Sequence, residues 1–207
     1  MAAAEIAESL DAGARTLVLA GGTTPRRCYE LLAKLDVGWG RVRILFGDER
    51  CVPPGHPDSN FRLAKEALLD HVAPATVCRM PAELGPDEGA AEYETVAAAA
   101  PLDIVLLGVG EDGHTASLFP GHPALAAAGM VVGVRGAPKP PPDRVTLTLR
   151  ALRSAKQVVI LATGEGKAGA VASAARGEVP SGMIASARWL IDRSAASLLP
   201  PSLRGSV

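Results

Sequence analysis

Four short, nearly unbroken apolar runs constrain this chain more than anything else in it: TLVLA (16–20), VRILF (42–46), DIVLL (103–107) and QVVILA (157–162). A strand with one face in water alternates apolar and polar residues, whereas a run that is apolar throughout needs cover on both faces. Such runs belong to a parallel sheet packed between helices, and the segments separating them have helical character. Pro25 suits the first turn of a helix capped by Thr24, and Cys28, Leu31, Leu32 and Leu35 follow at helical spacing along one face. Phe61, Ala64, Leu68 and Val72 repeat that pattern. Residues 87–100 read as an Ala-rich third helix and residues 166–176 as a fourth, which Gly177 ends. VVGV (131–134), VTLTL (145–149) and RWLID (188–192) are further strand candidates.

This alternation predicts an α/β fold: a doubly wound, mostly parallel sheet with helices on both faces, a Rossmann-like three-layer sandwich. With 207 residues the chain suits a single domain over 1–207. Aromatic residues make up only 3%, so the core is built from Ala, Val, Leu and Ile, and stacking platforms for nucleic-acid bases are not expected. The 21 basic and 22 acidic residues form no positive stripe, which argues against a nucleic-acid partner. No apolar run approaches the ~18 residues of a membrane span. The first residues lack the basic and apolar regions of a signal peptide, so a cytoplasmic location is expected. Cys28, Cys51 and Cys78 are odd in number and form no CxxC pair, and His56, His71 and His122 show no metal spacing. No disulfide framework or metal site is expected.

In sheets of this kind ligands bind beyond the carboxyl ends of the strands. Four such positions carry unusual chemistry. After TLVLA come Gly21, Gly22, Thr23, Thr24 and Pro25: either a plain tight turn or a backbone cradle for an anion at a helix start. After VRILF come Gly47, Asp48, Glu49 and Arg50, whose charges either pair locally or face a cleft where they orient hydroxyls and an anion. After DIVLL comes GVGEDGHT (108–115), in which Gly110 and Gly113 bring the backbone close to a ligand and His114 can carry a proton near neutral pH. Its GxGxxG spacing does not make a dinucleotide site, because Pro120 and Pro123 allow only a short helix and the next strand ends at Arg135 rather than an acid. After QVVILA come Gly164, Glu165, Gly166 and Lys167, half of a Walker loop without its first glycine or its hydroxyl residue. Lys167 opposes the dipole of the helix it starts, a conflict that a bound anion would relieve. Arg144, just ahead of VTLTL, is a further cationic candidate.

Taken in order, LAGGTTPRRCYELLA, ILFGDERCVPPGHPDSNFRLAKEALLDHV, LDIVLLGVGEDGHTASLFPGHPAL, DRVTLTL and ATGEGKAGAV resemble the 6-phosphogluconolactonase family from about Thr16 onward. The corresponding blocks of the related glucosamine-6-phosphate deaminases usually read DEY and DGHIAFNEP, so Arg50 and TASLFP favour the lactonase side. The resemblance implies hydrolysis of 6-phosphoglucono-δ-lactone to 6-phosphogluconate, with the sugar phosphate lactone as partner and no metal or organic cofactor; a monomer or weak homo-oligomer is expected. It places phosphate near Gly21, Gly22, Thr23 and Thr24, with Arg50, Arg144 and Lys167 as cationic candidates and His114 as general base. Ala20 stands where relatives commonly have Ser or Thr. Family members usually begin with a strand and a full helix before the TLVLA-like strand, so a shortened N-terminal edge is expected here.

Opening a lactone needs an activated water, a stabilised oxyanion and a proton for the departing ring oxygen. His114 is expected to move the protons, with Asp48 or Asp112 orienting it and amides of the loop 108–113 facing the oxyanion. Three rival readings remain: an amino-sugar phosphate deaminase, a non-catalytic sugar-phosphate sensor and a nicotinamide oxidoreductase.

Overall fold

In the computed structural model, which describes residues 1–203, all four apolar runs are strands of one wholly parallel sheet. Its members are β1 (Thr16–Leu19), β2 (Arg43–Phe46), β4 (Thr76–Val77), β5 (Ile104–Gly108), β8 (Gln157–Ala162) and β9 (Arg188–Ile191), in the spatial order β4-β2-β1-β5-β8-β9. The chain winds outward from β1 to β2 and β4, then returns to the other side of β1 and winds outward again through β5, β8 and β9. The order therefore reverses between β1 and β5, where a crevice opens beyond the strand ends. All residues of β1 are buried, as are Ile104–Leu107 of β5, which accounts for their unbroken apolar sequence.

A second sheet departs from the expectation of a single one. β3 (Asp48–Arg50), β6 (Val131–Val134) and β7 (Arg144–Leu147) pair antiparallel in the order β3-β7-β6. The chain passes from one sheet to the other at Gly47, whose N–H donates to Leu19 O and whose carbonyl accepts from Leu147 N, both at 2.8 Å. The runs 131–134 and 145–149 thus belong to this small sheet. The strand expected over 145–149 stops at Leu147, because Thr148 caps α5 (Leu149–Ser154) by accepting from Ala151 N at 3.2 Å.

Helix α1 (Ala2–Asp11) buries Ala3, Ile6, Ala7 and Leu10 and packs on α2 (Thr23–Leu32). The N-cap of α2 is Gly22, not Thr24, and its buried stripe is Pro25, Cys28, Tyr29 and Leu32. Leu31 and Leu35, expected inside, are 42% and 38% exposed, because Tyr29 rather than Leu31 continues the buried face. Helix α3 (Asn60–Ala64) runs into a π-helical turn (Lys65–Leu69), α4 (Pro86–Ala98) packs on β6 and β7, and α6 (Ala168–Ala175) ends before Gly177.

The chain's two tyrosines, both fully buried, tie helices to strand ends. Tyr29 Oη accepts from Ala20 N at 2.7 Å and donates to Ala20 O at 2.8 Å. Tyr93 Oη accepts from Phe46 N at 2.9 Å and donates to Cys78 O at 3.0 Å. Each hydroxyl completes backbone hydrogen bonds that a strand leaves open where it stops.

Candidate active site

One cleft of about 210 Å³ lies at the reversal between β1 and β5, and parts of all four strand exits reach it. Gly21, Gly22, Thr23 and Thr24 form one wall; Asp48, Arg50 and Arg144 come from the small sheet; Gly110 and His114 follow β5; Lys167 follows β8. Two expected residues do not line it. Asp112 sits behind His114, and Gly113 packs against Val179 with its carbonyl accepting from Ser181 N at 3.1 Å.

The wall at Gly21–Gly22 is built by close approach and by a special backbone angle. A Cβ on Gly21 would fall 1.9 Å from Asn60 Oδ1, and Gly22 has φ +104°. No side chain caps the start of α2, and Pro25 has no N–H, so the orphan amides of Thr23 and Thr24 are left at the cleft edge with the positive end of the helix dipole. Thr24 Oγ1 pairs with Thr163 Oγ1 at 2.8 Å instead of capping. Lys167 ends a 3-10 turn (Glu165–Lys167) directly before α6 and has no carboxylate partner among the described residues.

Along β3 the three charges alternate in direction, as strand geometry requires. Asp48 and Arg50 line the cleft, while Glu49 turns away and accepts from Arg50 N, Ser59 Oγ, Asn60 N and Phe61 N at 2.7–3.0 Å. Burial raises the Glu49 carboxyl above its ordinary pKa, and these four hydrogen bonds oppose the rise. Asp48 is fixed by Ser117 Oγ at 2.6 Å and Asn60 Nδ2 at 3.1 Å, with no hydrogen bond to His114. It therefore does not orient that ring. Arg50 Nη1 donates to Asp58 O at 2.7 Å, and its buried Nε has no partner.

Orientation of His114 falls to Asp112, whose Oδ1 lies 2.5 Å from His114 Nδ1. An ionised carboxylate only accepts, so Nδ1 carries the hydrogen and Nε2 is the free base. Burial holds His114 below the ordinary imidazole pKa; the hydrogen bond and charge of Asp112 oppose this, and Lys139 adds to it. Burial also pushes the Asp112 carboxyl up, but the His114 hydrogen bond, with help from Lys139, brings it below its usual value. The ring packs against Phe119 with centroids 4.5 Å apart and planes tilted by 37°, and Arg144 lies 5.5 Å over the same Phe119 ring. Gly110 makes room: a Cβ there would fall 2.1 Å from His114 Nδ1.

Two of the amides expected to meet an oxyanion are used within the loop. Gly110 N donates to His114 O at 2.8 Å and Gly113 N to Gly110 O at 3.0 Å. Arg144 is likewise committed: it donates to Pro141 O, Lys139 O and Pro140 O at 3.0, 2.9 and 3.2 Å and contacts Ser117 Oγ at 3.4 Å, leaving one of its five N–H groups. Sequence reasoning missed Asn60, Lys139 and Ala116, which also line the cleft. Among the described residues Ala116 alone of the non-glycines has a left-handed φ, 49°. Among these residues no group of three His, Cys, Asp or Glu side chains is gathered as metal donors, and no helix is long and apolar enough to cross a membrane.

Relatives share this arrangement of chain. A 6-phosphogluconolactonase of Streptomyces coelicolor is 42% identical over 92% of this chain and 84% of its own length. One of Mycobacterium tuberculosis is 40% identical over 91% and 86%. The crystal structure of a 6-phosphogluconolactonase from Thermotoga maritima superposes with a TM-score of 0.84 at 27% identity, covering 91% of this chain and 92% of that one. The Trypanosoma brucei 6-phosphogluconolactonase structure gives 0.82 at 26%, covering 96% and 93%. Residues 1–191 match the model for glucosamine-6-phosphate isomerases/6-phosphogluconolactonase, and the chain belongs to that family.

Proposed function

We propose that this chain hydrolyses 6-phosphoglucono-δ-lactone to 6-phosphogluconate, a step of the oxidative pentose phosphate route and the reaction for which its relatives are named. One observation carries the reading: a single cleft joins an anion-receptive wall (the free amides of Thr23 and Thr24, with Lys167) to an Asp112–His114 pair that can move a proton. A hexose phosphate has an anion at one end and, as the lactone, an electrophilic carbonyl at the other. The cleft matches both ends.

In the proposed reaction the phosphate is held by the Thr23–Thr24 amides, Lys167 and the Arg50 guanidinium, all of which line the cleft. That grip sets C1 beside His114 and uses remote binding to lower the entropic barrier. Neutral His114 takes a proton at Nε2 from water as the water oxygen bonds to C1, and the carbonyl electrons move onto the C1 oxygen. Collapse of that oxyanion breaks the bond from C1 to the ring oxygen, which receives the proton from the imidazolium. The products are the open-chain acid and a restored base, with no net redox change. Asp112 holds the required tautomer and stabilises the transient imidazolium.

The decisive test is hydrolysis of freshly generated lactone with spontaneous hydrolysis subtracted, run beside an assay for ammonia release from glucosamine 6-phosphate. Lactone turnover without ammonia supports the proposal. Ammonia release without lactone turnover replaces it with the deaminase reaction, and ligand binding with neither activity replaces it with a sensor.

A further inference from the structure

The proposed reaction places negative charge on the C1 oxygen, and the backbone amides of Gly110 and Gly113 are already bonded within their own loop. We propose that Lys139 meets this charge: its ammonium is the oxyanion partner at the acyl end of the cleft, and Arg144 holds it in place by fixing its backbone. The inference rests on the lactonase reading.

Lys139 lines the cleft, and its Nζ lies 3.9 Å from Asp112 Oδ1, the same oxygen that holds His114. That places a cation of the cleft wall beside the proton-transfer pair rather than only at the phosphate wall. The residue is carried on a loop with Pro138 before it and Pro140, Pro141 and Pro142 after it. Prolines remove backbone freedom, so presenting the side chain costs less entropy than from an ordinary loop. Ala137 N donates to Pro142 O at 2.9 Å and closes the loop upon itself.

Beneath the loop, Arg144 is only 3% exposed and donates to the carbonyls of Lys139, Pro140 and Pro141. A buried guanidinium that gathers three successive carbonyls is a clamp on the Lys139 backbone. The side chain beyond it remains 47% exposed, and its contact with Asp112 is long. An ion pair of that kind contributes little to stability, so folding does not account for the placement. An ammonium facing developing negative charge in a partly closed cleft does.

Besides burial, the charged groups that act on His114 are Asp112, Lys139 and Asp48; Asp112 and Asp48 raise its pKa and Lys139 lowers it. Removing the Lys139 charge is expected to raise the His114 pKa, a change independent of any substrate.

The test uses Lys139→Gln and Lys139→Arg in the full chain, with melting midpoints to verify folding. Lys139→Gln is expected to lower kcat about 10²- to 10³-fold, to change KM less than threefold (roughly, since the phosphate grip is intact), and to move the acid limb of kcat/KM to higher pH. NMR titration of His114 in the ligand-free protein should shift the same way, and Lys139→Arg should restore most of kcat. Wild-type kcat in Lys139→Gln would overturn the inference while leaving the lactonase reading standing. A raised KM with unchanged kcat would also overturn it, by moving Lys139 to the phosphate. An unchanged His114 titration would remove the electrostatic coupling. A wild-type chain that turns over no lactone would instead sink the functional reading, and this inference with it.

Discussion

Asp112 and His114 are two residues apart in sequence and 2.5 Å apart at Oδ1 and Nδ1, with the backbone N–H of His114 also reaching the same oxygen at 3.4 Å. The carboxylate thus holds both the ring and its backbone. His114→Ala is expected to lower kcat about 10²- to 10⁴-fold, the range for loss of a general base, with a smaller effect on KM. Asp112→Asn should also lower kcat, because the imidazolium loses its counter-charge. Steady-state kinetics on fresh lactone measure both, and a His114→Ala enzyme with wild-type kcat would end the assignment.

The pH profile follows from the direction of the His114 shift. The neutral ring is the active form and burial lowers its pKa, so activity is retained as pH falls past the ordinary imidazole value of about 6.5 and is lost only below it. Asp112 raises the His114 pKa, so Asp112→Asn should carry the acid limb further down. A limb at or above the ordinary value in the wild-type enzyme would contradict the buried, neutral ring.

Gly110→Ala separates the position of the ring from its chemistry. The added methyl would stand 2.1 Å from Nδ1 and 2.5 Å from Asp112 Oδ1, so the ring must rotate off its partner. We expect kcat to fall about 10²-fold, as misplacement of a catalytic group does, while KM stays close to wild type because the phosphate wall is untouched. Equal losses in binding and turnover would mean that the whole loop had moved.

Lys167→Ala tests the other end. Loss of a hydrogen bond to a charged group costs about 1.5–3 kcal/mol, which is a KM increase of roughly 10- to 150-fold, with kcat little changed. An unaltered KM would take Lys167 out of the phosphate grip.

Much of this site was legible because its strands are unbroken apolar runs and a parallel sheet exposes its chemistry just past their ends. TLVLA leads into Gly21–Thr24 and DIVLL into the loop that carries Gly110 and His114, and these residues line the cleft. The second sheet was harder to see. Asp48, Glu49 and Arg50 are three consecutive charges with no strand signature, and only Glu49's four hydrogen bonds and the cleft make them affordable in a strand. Gly113 was misplaced because a glycine needed for packing against Val179 looks the same in sequence as one needed by a ligand. Lys139 lies in a proline-rich stretch whose composition resembles a connector, and its placement depends on Arg144, a contact that no local pattern encodes.

The last prediction concerns stability. Tyr29 spends its single hydroxyl on both backbone groups of Ala20, the residue that leads from β1 into the Gly21–Gly22 turn. Tyr29→Phe keeps the ring and its packing but leaves a buried N–H and a buried C=O without this partner. Each such group costs about 1–3 kcal/mol, and in a chain of this size each kcal/mol lowers the melting midpoint by about 2–4 °C. Tyr93→Phe removes an equivalent pair of bonds at Phe46 and Cys78 and should destabilise to a similar degree. The two differ in what lies next to them. Ala20 borders the cleft and Cys78 does not, so Tyr29→Phe should raise KM at a temperature where both variants are folded, and Tyr93→Phe should raise it less. Equal KM values would mean that the Tyr29 hydroxyl supports the fold alone and has no part in shaping the anion wall.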